Sequence, residues 1–342
     1  MKTSKQSPAP IRRREVIKAM AGLPFLGCLA FAAEGNPVPG SLEEQHLLAA
    51  GVSDAVLKPL DGSVLDQLKG KVPHAKIKGV EVSRVIMGGN LLGGWAHARD
   101  LLYVSDLVKT YHTDEKTFQT LQLAEECGIN SLITNPILLP SLQKYWSLGG
   151  KIQFISDGGF NYREDIQKSV DAGAAACYLH GGVADMLAKA DKMDEFAWAV
   201  DKIRQNGIPA GIGAHELETV KKCVAYGISP DFWMKTLHKT NYWSARIDQE
   251  RKNTLDKDFA DNIFCQNPDE TIAFMNKLEQ PWIAYKIMAA GAIKPTDAFQ
   301  WAFEQGADYI CVGMFDFQVI DNVNLAYEIL KQDIPRNRPW RA

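Results

Sequence analysis

Between Val85 and Lys331 short apolar runs of strand length alternate with longer stretches of helical periodicity, and glycine or proline marks most of the joints. The runs are Val85–Gly88, Ser131–Thr134, Ile152–Ser156, Ala175–Leu179, Pro209–Gly213, Phe232–Leu237, Trp282–Ile287 and Tyr309–Val312. Helical patterns lie between them, as in Asp114–Cys127, where Phe118, Leu121, Leu123 and Ala124 mark an apolar face; Arg163–Ala172, Met193–Asn206, Glu216–Tyr226, Pro268–Leu278, Pro295–Gln305 and Ile320–Lys331 read the same way. Gly128, Gly173, Gly207, Gly227 and Gly306 follow helical stretches, where a left-handed C-cap needs glycine. Strand–helix alternation implies parallel strands joined by crossover helices. Eight such units predict an α/β fold closed as a (β/α)8 TIM barrel. No Gly-x-Gly-x-x-Gly follows the first strand, which argues against an open dinucleotide-binding sheet.

With 46% apolar and 23% charged residues, the chain has a folded protein's composition, not that of a disordered, collagen-like or coiled-coil one. The formal charge of −3 and the lack of a basic face beyond the extreme N-terminus exclude nucleic acid as an expected partner. No uninterrupted apolar run reaches the ~18–20 residues of a spanning helix, so no transmembrane segment is expected in the mature chain.

The N-terminus reads as an address. Arg12-Arg13-Arg14-Glu15-Val16-Ile17-Lys18 precedes an apolar stretch from Ala19 to Ala33, closing on Ala30-Phe31-Ala32 as a small-x-small cleavage site. Consecutive arginines, an apolar pair and a lysine resemble the twin-arginine export signal. That resemblance implies a periplasmic protein, a passing partnership with the twin-arginine translocase, and export of an already folded chain. Leu26-Gly27-Cys28 leaves a lipid-anchored variant open, with Cys28 acylated; a buried N-terminal helix is disfavoured by Pro24 and by Glu34-Gly35-Asn36-Pro37. The expected organisation is a signal over 1–33, a spacer over 34–78 and the barrel over 79–335. Cys127, Cys177, Cys223, Cys265 and Cys311 are widely spaced with no Cys-x-x-Cys, and read as core thiols.

Chemistry in a barrel of this kind lies at the C-terminal ends of its strands. Read in order, those ends carry Asn90, Asn135, Asp157, His180, His215, Lys235 with His238, Lys286 and Asp316. Polar residues this regular predict a ligand-binding mouth, with His180, Asp157, Lys235 and Lys286 as catalytic candidates and Asn90, Asn135, His215, His238 and Asp316 as substrate-binding ones. Any single histidine could equally be a capping or core side chain. The long polar connection from Lys239 to Asn267 has the length of a lid or binding loop. Loop aromatics such as Trp95, Phe160, Trp243 and Phe315 offer stacking surfaces or, equally, loop anchors.

Val82-Ser83-Arg84-Val85-Ile86-Met87-Gly88-Gly89-Asn90 resembles the first barrel strand of the aldo/keto reductases, and Gly128-Ile129-Asn130 their entry to the second. Cys177-Tyr178-Leu179-His180-Gly181 is similar to that family's fourth strand, which ends in its active-site histidine. Gln205-Asn206-Gly207 through Ile212-Gly213 resembles the segment leading into the fifth. The resemblance implies the barrel and carries over His180. The family's aspartate would fall near Ile133, its third-strand lysine is replaced by the lead into Asp157-Gly158, and Met314-Phe315-Asp316-Phe317-Gln318 stands in place of its basic nucleotide-phosphate motif. Hydride transfer from NADP(H) by that family's mechanism therefore lacks its proton donor.

Phe232-Trp233-Met234-Lys235-Thr236 and Tyr285-Lys286-Ile287-Met288-Ala289-Ala290-Gly291-Ala292-Ile293 resemble the two lysine strands of deoxyribose-phosphate-type aldolases. A lysine inside a barrel loses hydration, and a second ammonium nearby lowers its pKa, so the neutral amine can attack a carbonyl. Alternatively each lysine snorkels outward or pairs with an acid such as Asp157. A divalent metal held by His180, His215 and His238 is a further reading. Parity constrains both readings, because Lys235 and His238 on one regular strand would face opposite sides. The expected function is an exported barrel enzyme acting on a small-molecule substrate, a polar carbonyl or carbohydrate, by lyase- or isomerase-type chemistry assisted by a Schiff-base lysine or a metal. An NADP-dependent reductase and a non-catalytic periplasmic binding protein are the alternatives.

Overall fold

The computed structural model describes residues 57–97, 101, 103–245 and 263–342. The segment read as an export signal, Cys28, the spacer up to residue 56 and part of the long connection (246–262) lie outside the described residues.

A short helix, α1 (Gly62–Leu65), leads into an antiparallel hairpin of β1 (His74–Ile77) and β2 (Val80–Ser83), with His74 opposite Ser83 and Ile77 opposite Val80. The hairpin thus begins inside the stretch read as spacer. Eight strands follow: β3 (Val85–Gly88), β4 (Ser131–Thr134), β5 (Gln153–Ser156), β6 (Ala176–Leu179), β7 (Ala210–Ala214), β8 (Phe232–Thr236), β9 (Trp282–Tyr285) and β10 (Tyr309–Val312). They pair in parallel in chain order, and β10 pairs with β3, so the sheet closes into the expected barrel. The helices around it are α2 (Val104–Tyr111), α3 (Asp114–Glu126), α4 (Leu139–Ser147), α5 (Tyr162–Asp171), α6 (Gly181–Lys189), α7 (Met193–Gln205), α8 (Leu217–Ala225), α9 (Pro268–Met275), α10 (Pro295–Glu304) and α11 (Asp316–Leu330). The sequence pattern missed α2, α4 and α6 and began α11 four residues late. Among the described residues no helix is long and apolar enough to cross a membrane.

Local chemistry accounts for many of the boundaries. Thr113 caps α3 by accepting from the Lys116 amide, and Asp114 and Glu115 meet the positive end of its dipole. Gly128 and Gly306, at φ of 89° and 111°, end α3 and α10 in the left-handed conformation that β-carbons disfavour.

Strand parity divides the core in two. Val85, Met87, Leu132, Phe154, Cys177, Leu179, Ile212, Trp233, Trp282 and Ile310 pack outward against helix residues such as Phe118, Leu121, Phe196 and Phe299. Their alternates, Ile86, Ile133, Ile155, Ala176, Tyr178, Phe232, Met234, Ile283 and Tyr309, fill the interior. Ile77 and Val82 of the hairpin join that inner cluster and stop the N-terminal end of the barrel. Each large side chain so buried contributes roughly 1.5–3 kcal/mol.

A charged clasp completes that end. Buried Asp308 accepts from Arg336 (3.2 Å) and Arg338 and from the backbone amides of Trp282 and Arg341 (both 2.9 Å). Arg338 also donates to the carbonyls of Met275 and Leu278. The Arg84 and Arg336 guanidiniums both stack over the Trp340 ring, 3.9 and 3.5 Å from its centre. The last residues, past the boundary expected at 335, are therefore built into the barrel.

Candidate active site

At the other end, the alternation that fills the interior delivers polar side chains to the mouth. Continuing the inward register beyond Ile133, Ile155 and Tyr178 gives Asn135, Asp157 and His180; on β7 the inward Gly211 and Gly213 lead to His215. On β9 the inward residue is Tyr285, whose ring centre is 5.4 Å from that of His215.

Asp157 accepts from the Asn135 amide (3.2 Å) and the Gly159 backbone (2.9 Å). Burial pushes its carboxyl up, while His180 and these donors pull the other way. His180 caps α6: its Nδ1 accepts from the Gly182 amide at 3.1 Å. Burial lowers the His180 pKa, Lys286 adds to that lowering, and Asp157 opposes it. In the neutral ring the proton therefore sits on Nε2. The ring packs 4.7 Å from Phe160, one of the loop aromatics.

His215 is held by a side chain instead. Its Nδ1 lies 3.0 Å from Oδ2 of Asp185, a buried carboxylate on α6 that also accepts from the His215 and Glu216 amides and from the Thr219 hydroxyl. Burial raises the Asp185 pKa, while the Thr219 hydroxyl and the His215 and Glu216 amides pull the other way.

Lys286, just past β9, has a left-handed backbone (φ 57°) that turns its side chain across the mouth. Its ammonium lies 2.6 Å from Nε2 of His97 and 3.6 Å from the centre of the Phe264 ring. Asn90, at 3.3 Å from the same His97 nitrogen, joins this side of the mouth.

Three candidates are placed elsewhere. Lys235 follows the outward parity of Trp233, and its ammonium is buried against the carbonyls of His215 (2.8 Å) and Thr236 (3.1 Å) and the Thr236 hydroxyl (2.9 Å). It locks the ends of β7 and β8 together, and burial lowers its pKa. The two lysines are not brought together as a Schiff-base pair, and Lys235 is corrected from catalytic to structural. His238 accepts the Phe264 and Cys265 amides on Nε2 (both 2.9 Å) and, through Nδ1, donates to the Lys239 carbonyl at 2.8 Å. Both nitrogens are committed to backbone, burial lowers its pKa to about 4, and it is a staple for the returning connection, not a substrate or metal ligand. The metal set of His180, His215 and His238 is corrected with it: among the described residues no cluster of three or more His, Cys, Asp or Glu is arranged to hold a metal ion. Asp316, the first residue of α11, is taken up by the Tyr111 hydroxyl (2.5 Å) and Lys116 (2.9 Å), which tie α11 to α2 and α3.

Asp185, His97, Tyr285 and Phe264 were not foreseen. Asp185 lies on α6, whose Gly181-Gly182 start hides the helix; Tyr285 could have been found by extending the Ile283 parity by one step. His97 and Phe264 reach the mouth from loops, where no periodicity marks them.

No protein-family model matches the sequence, and no curated protein matches it. Solved structures do match. One, a candidate aldo-keto reductase from Pseudomonas aeruginosa, shares 17% identity, covers 77% of this chain and 98% of its own, and gives a TM-score of 0.50. A second structure described in the same terms, from the same organism, shares 16% identity over 77% of this chain and 99% of its own, with a TM-score of 0.51. At these identities the likeness shows the fold: this chain is a closed, eight-stranded parallel barrel of TIM type, similar in architecture to those two proteins.

Proposed function

We propose that the barrel is an enzyme acting on a small polar carbonyl compound or carbohydrate by proton transfer, in lyase- or isomerase-type chemistry. The observation that carries this reading is the state of His180. A backbone amide holds its Nδ1, so a neutral imidazole offers Nε2–H at the mouth beside the buried Asp157 carboxyl. A neutral imidazole donor suits a carbonyl oxygen that gains negative charge, and the Lys286 ammonium supplies a second, charged group for the same oxygen.

Glycolaldehyde, dihydroxyacetone and D-fructose, each incubated with the protein in deuterium oxide, test the reading by proton NMR. Exchange of the hydrogen next to the carbonyl is expected, falling by about 10²–10⁴-fold in His180→Ala. Binding of these probes with neither exchange nor turnover would leave a binding protein instead. His180 at the end of the fourth barrel strand also supports a second reading, an NADP-dependent reductase. Quenching of protein fluorescence by NADPH, with oxidation of the nucleotide when a carbonyl is added, would favour it.

The twin arginines and Ala30-Phe31-Ala32 support export to the periplasm. Expression with Arg13→Lys and Arg14→Lys should hold the protein in the cytoplasmic fraction.

A further inference from the structure

Phe160 follows Asp157-Gly158-Gly159 after β5, and its ring lies 4.7 Å from that of His180. With His180 beside it, Phe160 is still 52% exposed, so it does not serve as a loop anchor. Phe264, another aromatic at the mouth, is buried instead, with the Lys286 ammonium 3.6 Å from its ring centre. The turn that carries Phe160 is fixed on both sides. Gly158 and Gly159 have left-handed backbone (φ 74° and 66°), which a β-carbon disfavours. A β-carbon on Gly158 would also stand 2.5 Å from the Tyr178 carbonyl oxygen, and one on Gly159 would strike the Asp165 carboxylate. The Gly158 amide donates to the Ser156 hydroxyl (3.0 Å), the Gly159 amide to Asp157 Oδ1 (2.9 Å) and the Asn161 amide to Asp165 Oδ2 (3.2 Å). The carboxyl beside His180 therefore holds the turn that presents Phe160.

We infer that Phe160 is a preformed platform for the C–H face of a sugar ring, which makes a pyranose the substrate class of this mouth. That class rests on the proton-transfer reading above and narrows it. A pyranose is one-sided in the way the site is: its C–H face packs on an aromatic ring, and the hydroxyls at its edge meet donors and acceptors. Here an exposed ring stands beside the polar Asn135, Asp157 and His180. A flat aromatic compound would match Phe160 but cover those polar groups without pairing them. A two- or three-carbon carbonyl compound has no ring face to stack. Ring opening ahead of proton exchange is redox-neutral. The O–H electron pair of the anomeric hydroxyl becomes the carbonyl π bond as its proton leaves. The ring C–O pair passes to the ring oxygen, which takes up a proton.

Binding and turnover are read separately in the full-length protein. Methyl β-D-fructopyranoside, locked as a ring and unable to exchange, should bind saturably in isothermal titration calorimetry. Phe160→Trp should keep that affinity. Phe160→Ala and Phe160→Leu should each weaken it by about 10-fold, because leucine restores bulk but no flat face. For exchange in deuterium oxide, kcat/KM for D-fructose relative to dihydroxyacetone should fall by about 10-fold in Phe160→Ala, with the D-fructose loss in KM and not in kcat. Equal losses for the two compounds would make Phe160 a packing support for His180 and overturn the platform. So would a wild type that does not bind the locked pyranoside, a folded Phe160→Ala that binds it with full affinity, or full affinity in Phe160→Leu. Benzyl alcohol binding that depends on Phe160, where pyranoside binding does not, would overturn the sugar class in favour of an aromatic ligand. Absence of exchange in the wild type, with Phe160-dependent pyranoside binding intact, would sink the proton-transfer reading and leave the platform standing.

Discussion

The two ends of the barrel surround their buried ionisable groups with different partners. At the N-terminal end Asp308 sits between Arg336 and Arg338, and other donors of the two guanidiniums reach backbone carbonyls. Acid and guanidinium meet at contact there, and the arrangement holds the last residues against the barrel. At the C-terminal mouth no ion pair at contact among the described residues offsets burial on His180 or Asp157, and it presses both toward neutrality: His180 is lowered and Asp157 raised. Ion pairs at contact hold a structure; groups whose pKa burial displaces are candidates for moving protons. The difference is what marks the C-terminal mouth as the place for the proposed chemistry.

The comparison can be broken most forcefully at the clasp. Asp308→Ala leaves two buried guanidiniums without their carboxylate and should cost about 3–5 kcal/mol, read as a lower denaturant midpoint. Exchange at the mouth should survive wherever the variant is folded; a variant as stable as the wild type would contradict the clasp.

At the mouth the expected effect is on rate. Lys286→Met should reduce carbonyl-probe exchange by about 10²-fold, a typical loss for removal of one oxyanion donor, with little change in the melting temperature. A loss confined to stability would move Lys286 to the structural side.

His238 sharpens the boundary between the two behaviours, since it lies near the mouth but acts as a staple. Its folded pKa of about 4 is below the ordinary value of 6.5, so the unfolded chain binds the proton more readily between those pH values. The stability it contributes is complete above about pH 6.5 and is lost as pH falls toward 4, by about 3 kcal/mol in all. His238→Gln keeps an acceptor for the Phe264 and Cys265 amides and should flatten that slope, measured as denaturant midpoint against pH. His112 and His180, also lowered, still contribute in the variant.

The smallest effect belongs to Lys235. Lys235→Met should cost about 1–3 kcal/mol through the unsatisfied His215 and Thr236 carbonyls. Borohydride treatment with a carbonyl probe should give no adduct on Lys235 in the wild type, and an adduct there would reverse the assignment.

How much of this was legible in the sequence follows from what carries each signal. The strands were found because an interior strand is an apolar run whatever surrounds it. Helices α2, α4 and α6 escaped because their stretches hold Gly181-Gly182, Pro140 or mixed polarity, and only packing selects the helix. The strand ends named the ring of mouth residues, and Asn135, Asp157, His180 and His215 lie in it because parity is a local property of a strand. Lys235 and Lys286 show the limit. Both follow apolar runs, yet one regular residue step turns the first outward and a left-handed turn brings the second across the mouth.

The sequence by itself determined the closed parallel barrel and the chemical character of its mouth, because alternation and strand-end polarity are written in nearest-neighbour spacing. The tertiary structure decided which groups meet: Asp185 with His215, His97 with Lys286, Asp308 with the two arginines of the C-terminal segment. Those pairs join residues 28–189 positions apart, and no periodicity along a chain encodes a contact made only when the sheet closes.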